Sequence, residues 1–144
     1  STPVPCNLHL VPQESLEQVL ELVLSTARLL GRSVDRRPFV YNLIARNYYI
    51  VKDAQVVYAV GYLNQSKGLG VDGGTAWGCE YARKQDGVSI YFYDMCLDRW
   101  NVLCDDGWAL IEHVPSPKEF ERVALIGSRV LTEAGKMAIK NVWA

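Results

Sequence analysis

Apolar positions between residues 16 and 30 recur at helical spacing. Leu16, Val19, Leu20, Val23, Ala27 and Leu30 fall on one face at i, i+3, i+4 intervals. Leu22, Leu24 and Leu29 widen that face, which predicts a helix covered on more than one side. Glu14-Ser15-Leu16-Glu17 opens it and Gly31 is a natural stop. A second helix is predicted over residues 39–52, with Val40, Leu43, Ile44, Asn47, Ile50 and Val51 turned inward. Gln55-Val56-Val57-Tyr58-Ala59-Val60 then forms a short continuous apolar run, the pattern of a strand covered on both faces. Residues 61–74 hold five glycines together with Asn and Ser and read as a loop. Residues 75–84 have helical character, and residues 88–93 form the next strand, ending at Asp94. Residues 100–103 and 108–111 pair as a hairpin across Cys104-Asp105-Asp106-Gly107. Residues 123–126 are another buried-type strand and residues 132–143 a closing helix. Strands alternating with helices predict an α/β fold with a parallel sheet at its core.

Length and composition narrow this without naming a function. A chain of 144 residues predicts one domain, with the proline-interrupted residues 1–13 as an arm or edge strand. A net charge of −1 and a pI near 6.1 remove the electrostatic footprint of a duplex-nucleic-acid binder. No apolar run approaches the roughly 18 residues of a membrane helix, so no membrane partner is expected. The first residues carry neither the basic nor the apolar region of a secretory signal. Cys6, Cys79, Cys96 and Cys104 form no CxxC pair, and His9 and His113 lie far apart, so they read as buried or partly buried thiols and not as a zinc site. Together these features predict a cytoplasmic setting.

The candidate chemistry lies at Asp72-Gly73-Gly74-Thr75-Ala76-Trp77. Adjacent glycines before a helix start let backbone N–H groups approach an anion. The helix dipole adds about half a positive charge, and Thr75 can donate a hydroxyl hydrogen bond. The plainer reading is a glycine turn with Thr75 as helix cap. Arg46, in the helix before the 55–60 strand, either pairs with phosphate bidentately or makes a surface ion pair. Glu80, further along the glycine helix, is either solvated or a carboxylate turned toward ligand.

These segments resemble the SLOG superfamily, the Rossmann-like group joining Lonely Guy phosphoribohydrolases, DprA-type proteins and molybdenum-cofactor carriers, also described as lysine-decarboxylase-like. Its signature is an arginine-bearing helix, an apolar strand containing Ala-Asp, and Pro-Gly-Gly-x-Gly-Thr-x-x-Glu. Gly73, Gly74 and Glu80 match at the family spacing, and Arg46 matches the helix arginine. Asp72 stands where the family has proline, Ala76 replaces the third glycine, Trp77 the threonine and Gln55 the usual aspartate. Trp77 can therefore stack on a base or fill the site. Ala124-Leu125-Ile126-Gly127-Ser128-Arg129 looks like the first strand and phosphate-proximal turn of such domains, which a permuted strand order would bring beside Gly73-Gly74. Its plainer reading is a strand-to-helix turn with a surface arginine.

The resemblance implies a Rossmann-like three-layer domain with a mostly parallel sheet and a rearranged strand order. It also implies a nucleotide or nucleoside-phosphate ligand, no further cofactor, and a homo-oligomer. Arg46 and Glu80 are the implied catalytic pair for hydrolysis of an N-glycosidic bond, and binding alone is the equal expectation. The ligand would touch Asp72, Gly73, Gly74, Thr75, Ala76, Trp77, Gly127, Ser128 and Arg129. The alternative is a non-catalytic interaction protein that keeps the fold. Asp94 and Asp105-Asp106 are weaker candidates for a metal, Tyr48-Tyr49 and Tyr91-Phe92-Tyr93 read as core, and Cys79 has a lowered pKa if the helix N-terminus governs it.

Overall fold

The structure, a computed structural model, describes residues 18–35, 37–64 and 67–144. Arm residues 1–13, with Cys6 and His9, and the helix opening at Glu14–Glu17 lie outside the described residues. In chain order the elements are α1 (Leu20–Leu30), α2 (Pro38–Val51), β1 (Val56–Gly61), α3 (Thr75–Arg83), β2 (Ser89–Asp94), β3 (Arg99–Cys104), β4 (Gly107–Leu110), β5 (Val123–Gly127) and α4 (Glu133–Trp143). A single 3-10 turn at Pro117–Glu119 precedes β5, held by a Ser116–Glu119 capping box.

The fold is α/β, with a five-stranded mixed sheet in the order β4-β3-β2-β1-β5. β1 is central and parallel to both β2 and β5, whereas β2–β3 and β3–β4 are antiparallel. The mostly parallel sheet expected from the sequence is therefore corrected: only the β2-β1-β5 triple is parallel. A two-residue turn at Asp105-Asp106 can join only antiparallel neighbours, and it turns the far edge into a meander. β1 is buried along its whole length, as its continuous apolar run requires.

Side chains alternate between two cores. Val57, Ala59, Ile90, Phe92, Ala124 and Ile126 face α1, α2 and α3. Val60, Tyr93 and Met95 face α4 through Ala138. On that second face Tyr58 stacks on Tyr91 at 5.7 Å between ring centroids and meets Trp143 edge-on at 5.5 Å. Val19, just before α1, and Val23, Ala27 and Leu30 within it are buried, and Leu22 packs against the same core, whereas Leu29 is exposed. α2 buries Tyr41, Ala45 and Val51, whereas Ile50 is exposed. The inward face expected for α2 is thus split, because the helix lies over the sheet edge at β5. No helix among the described residues is long and apolar enough to cross a membrane.

Candidate functional site

The parallel triple creates the crevice. From β1 the chain crosses through α3 to β2 on one side, while β5 flanks β1 on the other. At the carboxyl ends of β1 and β5 the connections diverge, and open α/β sheets bind ligands at such points. A cavity of about 640 Å³ lies there and along the α2–β5 edge. Ser128 caps the crevice floor, its backbone N–H donating to the Val60 carbonyl at 2.9 Å.

Of the residues expected at the site, Arg46, Gly74, Thr75, Trp77, Gly127, Ser128 and Arg129 line this one cavity. The segment after β5 thus meets the glycine turn. Asp72, Gly73, Ala76 and Glu80 are not on the cavity wall. Gly73 shapes the turn instead. Its φ of +68° is left-handed, its N–H donates to Asp72 Oδ1 at 2.9 Å, and its carbonyl accepts from Arg32 at 2.8 Å. Ala76 is buried in the core.

α3 begins at Gly74 without a side-chain cap, so Thr75 is the first helical residue and not the cap. Thr75 is 4% exposed, and its Oγ1 has no hydrogen-bond partner among the described residues. Arg46 Nε is likewise buried and unpartnered. Orphaned donors are uncommon inside proteins, since each forgoes its bond to water. Both of these donors belong to residues that line the one cavity. Arg129 and the positive end of α3 give the same corner a positive field.

Glu80 faces elsewhere. It is fully buried, its Oε2 accepts from Leu69 N–H at 2.8 Å, and its Oε1 lies 2.8 Å from Arg83 Nε. That second contact is an ion pair without hydrogen-bond alignment. Gly68 sits so close that a Cβ there would stand 2.3 Å from Oε2, and its φ is +56°. The structure therefore does not bring Glu80 to the cavity that Arg46 lines. Trp77 is 4% exposed and tilted against Tyr81, forming wall more than an offered stacking face.

Phe39, Leu43, Asn47, Ile50 and Leu125 also line the cavity, with Val40, Ile44 and Ile126, and none of these is among the site residues the sequence points to. The available signal is the spacing 39, 43, 46, 50 on α2, a second helical stripe beside the buried one.

The lesser candidates resolve structurally. Asp94 is buried and accepts from Leu63 N–H at 3.3 Å and Cys96 N–H at 2.9 Å, tying the β1 exit to the β2 end. No group of three or more His, Cys, Asp and Glu suited to a metal occurs among the described residues. Cys79 is buried and its thiol pKa is pushed up, first by burial and then by Glu80, so the expected lowering is corrected: lost hydration outweighs the dipole. Cys96 and Cys104 are exposed free thiols, against the expectation of burial. The chain matches no protein-family model, no curated protein and no solved structure.

Proposed function

We propose that this chain binds a nucleotide or nucleoside phosphate in the crevice at the carboxyl ends of β1 and β5. The observation that carries the proposal is the pair of buried, unpartnered donors Arg46 Nε and Thr75 Oγ1 in two residues that line one cavity. Phosphate supplies acceptors for both and a charge suited to Arg46, Arg129 and the α3 N-terminus. The Rossmann-like description and membership of the SLOG superfamily belong to the same proposal, supported by the glycine turn at the parallel strand ends.

Binding is better supported than N-glycosidic hydrolysis. The carboxylate that hydrolysis would use is Glu80, which is engaged with Leu69 and Arg83 on the far side of α3. One observation favours the alternative, a non-catalytic interaction protein that keeps the fold: the Trp77 indole is packed into the wall of the crevice.

A thermal-shift series separates the two. Nucleoside mono-, di- and triphosphates are tested on the wild type and on Arg46→Ala. A ligand at about a hundred times its Kd stabilises the fold by about 2.7 kcal/mol, a visible rise in Tm. The expected result is a rise in the wild type that is absent in Arg46→Ala. No rise with any nucleotide overturns the proposal in favour of the interaction protein.

A further inference from the structure

We infer that this site reads the phosphate and not the sugar: its ligand is a phosphomonoester whose remaining body is held by apolar contact, so ribo- and 2′-deoxyribonucleotides bind alike. The inference rests on the nucleotide reading above and deepens it.

Among the described residues the cavity wall contains two arginines, Arg46 and Arg129, and no aspartate or glutamate. A sugar diol presents hydroxyl donors, and selective sites meet them with buried acceptors, most strongly with carboxylates. Here both nearby carboxylates are engaged away from the cavity. Glu80 accepts from Leu69, and Asp72 accepts from Gly73 within the turn. Asn47 is the remaining side-chain amide on the wall. Its Nδ2 donates to the Leu43 carbonyl at 3.1 Å, and its Oδ1 is turned toward Gly78 of α3. Thr75 and Ser128 also line the cavity, and hydroxyl donors of this kind suit phosphate oxygens.

The rest of the wall is apolar. Phe39, Ile50 and Leu125 are 51%, 39% and 47% exposed, and all three line the cavity with Leu43. A base laid along α2 and β5 removes this surface from water, which is the chemistry the wall offers. The carrying juxtaposition is an uncapped, arginine-flanked helix start beside an apolar strip with no carboxylate.

Calorimetric titration of the full chain with the ribonucleoside 5′-monophosphates and their 2′-deoxy counterparts tests this. Within each pair the Kd values are expected to agree within about threefold, because no charge-assisted hydrogen bond to the 2′-hydroxyl is available. Phe39→Ser, at a half-exposed position, is expected to weaken both members of a pair together by roughly fivefold, with an unchanged Tm as the check on the fold. A ribose preference of about tenfold or more overturns the inference alone, since it requires an acceptor for the 2′-hydroxyl. Unchanged affinities in Phe39→Ser also overturn it. Failure of both sugar forms to bind the wild type overturns the nucleotide reading itself, a distinct result.

Discussion

At the scale of single residues, Glu80 shows how a site residue can match a pattern and serve another purpose. A fully buried carboxylate is tolerable only with partners, and this one has the Leu69 amide and the Arg83 guanidinium. Glu80→Ala removes both contacts and leaves a cavity, so an urea unfolding curve should report a loss of about 2–4 kcal/mol. Glu80→Gln keeps an acceptor for Leu69 and should lose less than half of that. Equal losses would mean that the Arg83 charge pairing, and not the Leu69 bond, matters. Arg46, Thr75 and Ser128 are singled out by the sequence, and the structure places all three on one cavity. The direction of Glu80 was not legible. An α-helix turns about 100° per residue, so Glu80 points about 200° away from Gly78. Gly78 faces Ile126 and Asn47 on the cavity side. Which side of α3 faces the crevice depends on tertiary packing, which spacing cannot supply.

At the scale of elements, the described residues of the glycine-rich connection between β1 and α3, 62–64 and 67–74, are pinned at several points. Leu63 bridges to Val71, Asp94 holds Leu63, Glu80 holds the Leu69 amide, and Trp108 of β4 donates to the Leu69 carbonyl at 2.8 Å. Its glycine content correctly marked an irregular segment, but the anchors come from α3, β2 and β4, too distant in sequence to be read from local composition. Trp108→Phe keeps the ring packing against Phe92 and deletes the donor, an expected loss of about 1 kcal/mol. Both anchors act on one residue. A double-mutant cycle with Glu80→Ala should therefore depart from additivity by about 0.5 kcal/mol or more, measured by denaturant titration. Strict additivity would show that the two anchors hold independent segments. The strands themselves were legible as apolar runs. Their pairing was legible only for the β3–β4 hairpin, where a two-residue turn leaves no choice of partner.

At the scale of the whole molecule, β5 lies beside β1 although 61 residues of sequence separate Gly61 from Val123. That single adjacency makes the crevice, and it also sets a central aromatic layer under the sheet. Tyr58, in the middle of β1, packs against Tyr91, Trp100 and Trp143, and its hydroxyl donates to the Pro115 carbonyl at 2.6 Å. Burial pushes its pKa up to about 12, with Tyr91 and Glu119 adding in the same direction. The folded-state pKa is raised, so the fold favours the neutral phenol. That contribution is fully present below the unfolded pKa of about 10 and is lost as pH climbs toward 12. Ionisation removes the donor to Pro115 and leaves a charge between two rings. About 2–3 kcal/mol is lost across that window. Tyr81, Cys79 and Tyr93 are raised by burial too, so the alkaline slope is shared. Tyr58→Phe isolates the share of Tyr58: it should cost about 1 kcal/mol at neutral pH for the lost hydrogen bond and flatten the decline above pH 10. Unfolding free energies at closely spaced pH values between 8 and 11.5 measure both effects. A variant that declines as steeply as the wild type would place the alkaline sensitivity on the other raised groups, Tyr81, Cys79 and Tyr93, and not on Tyr58.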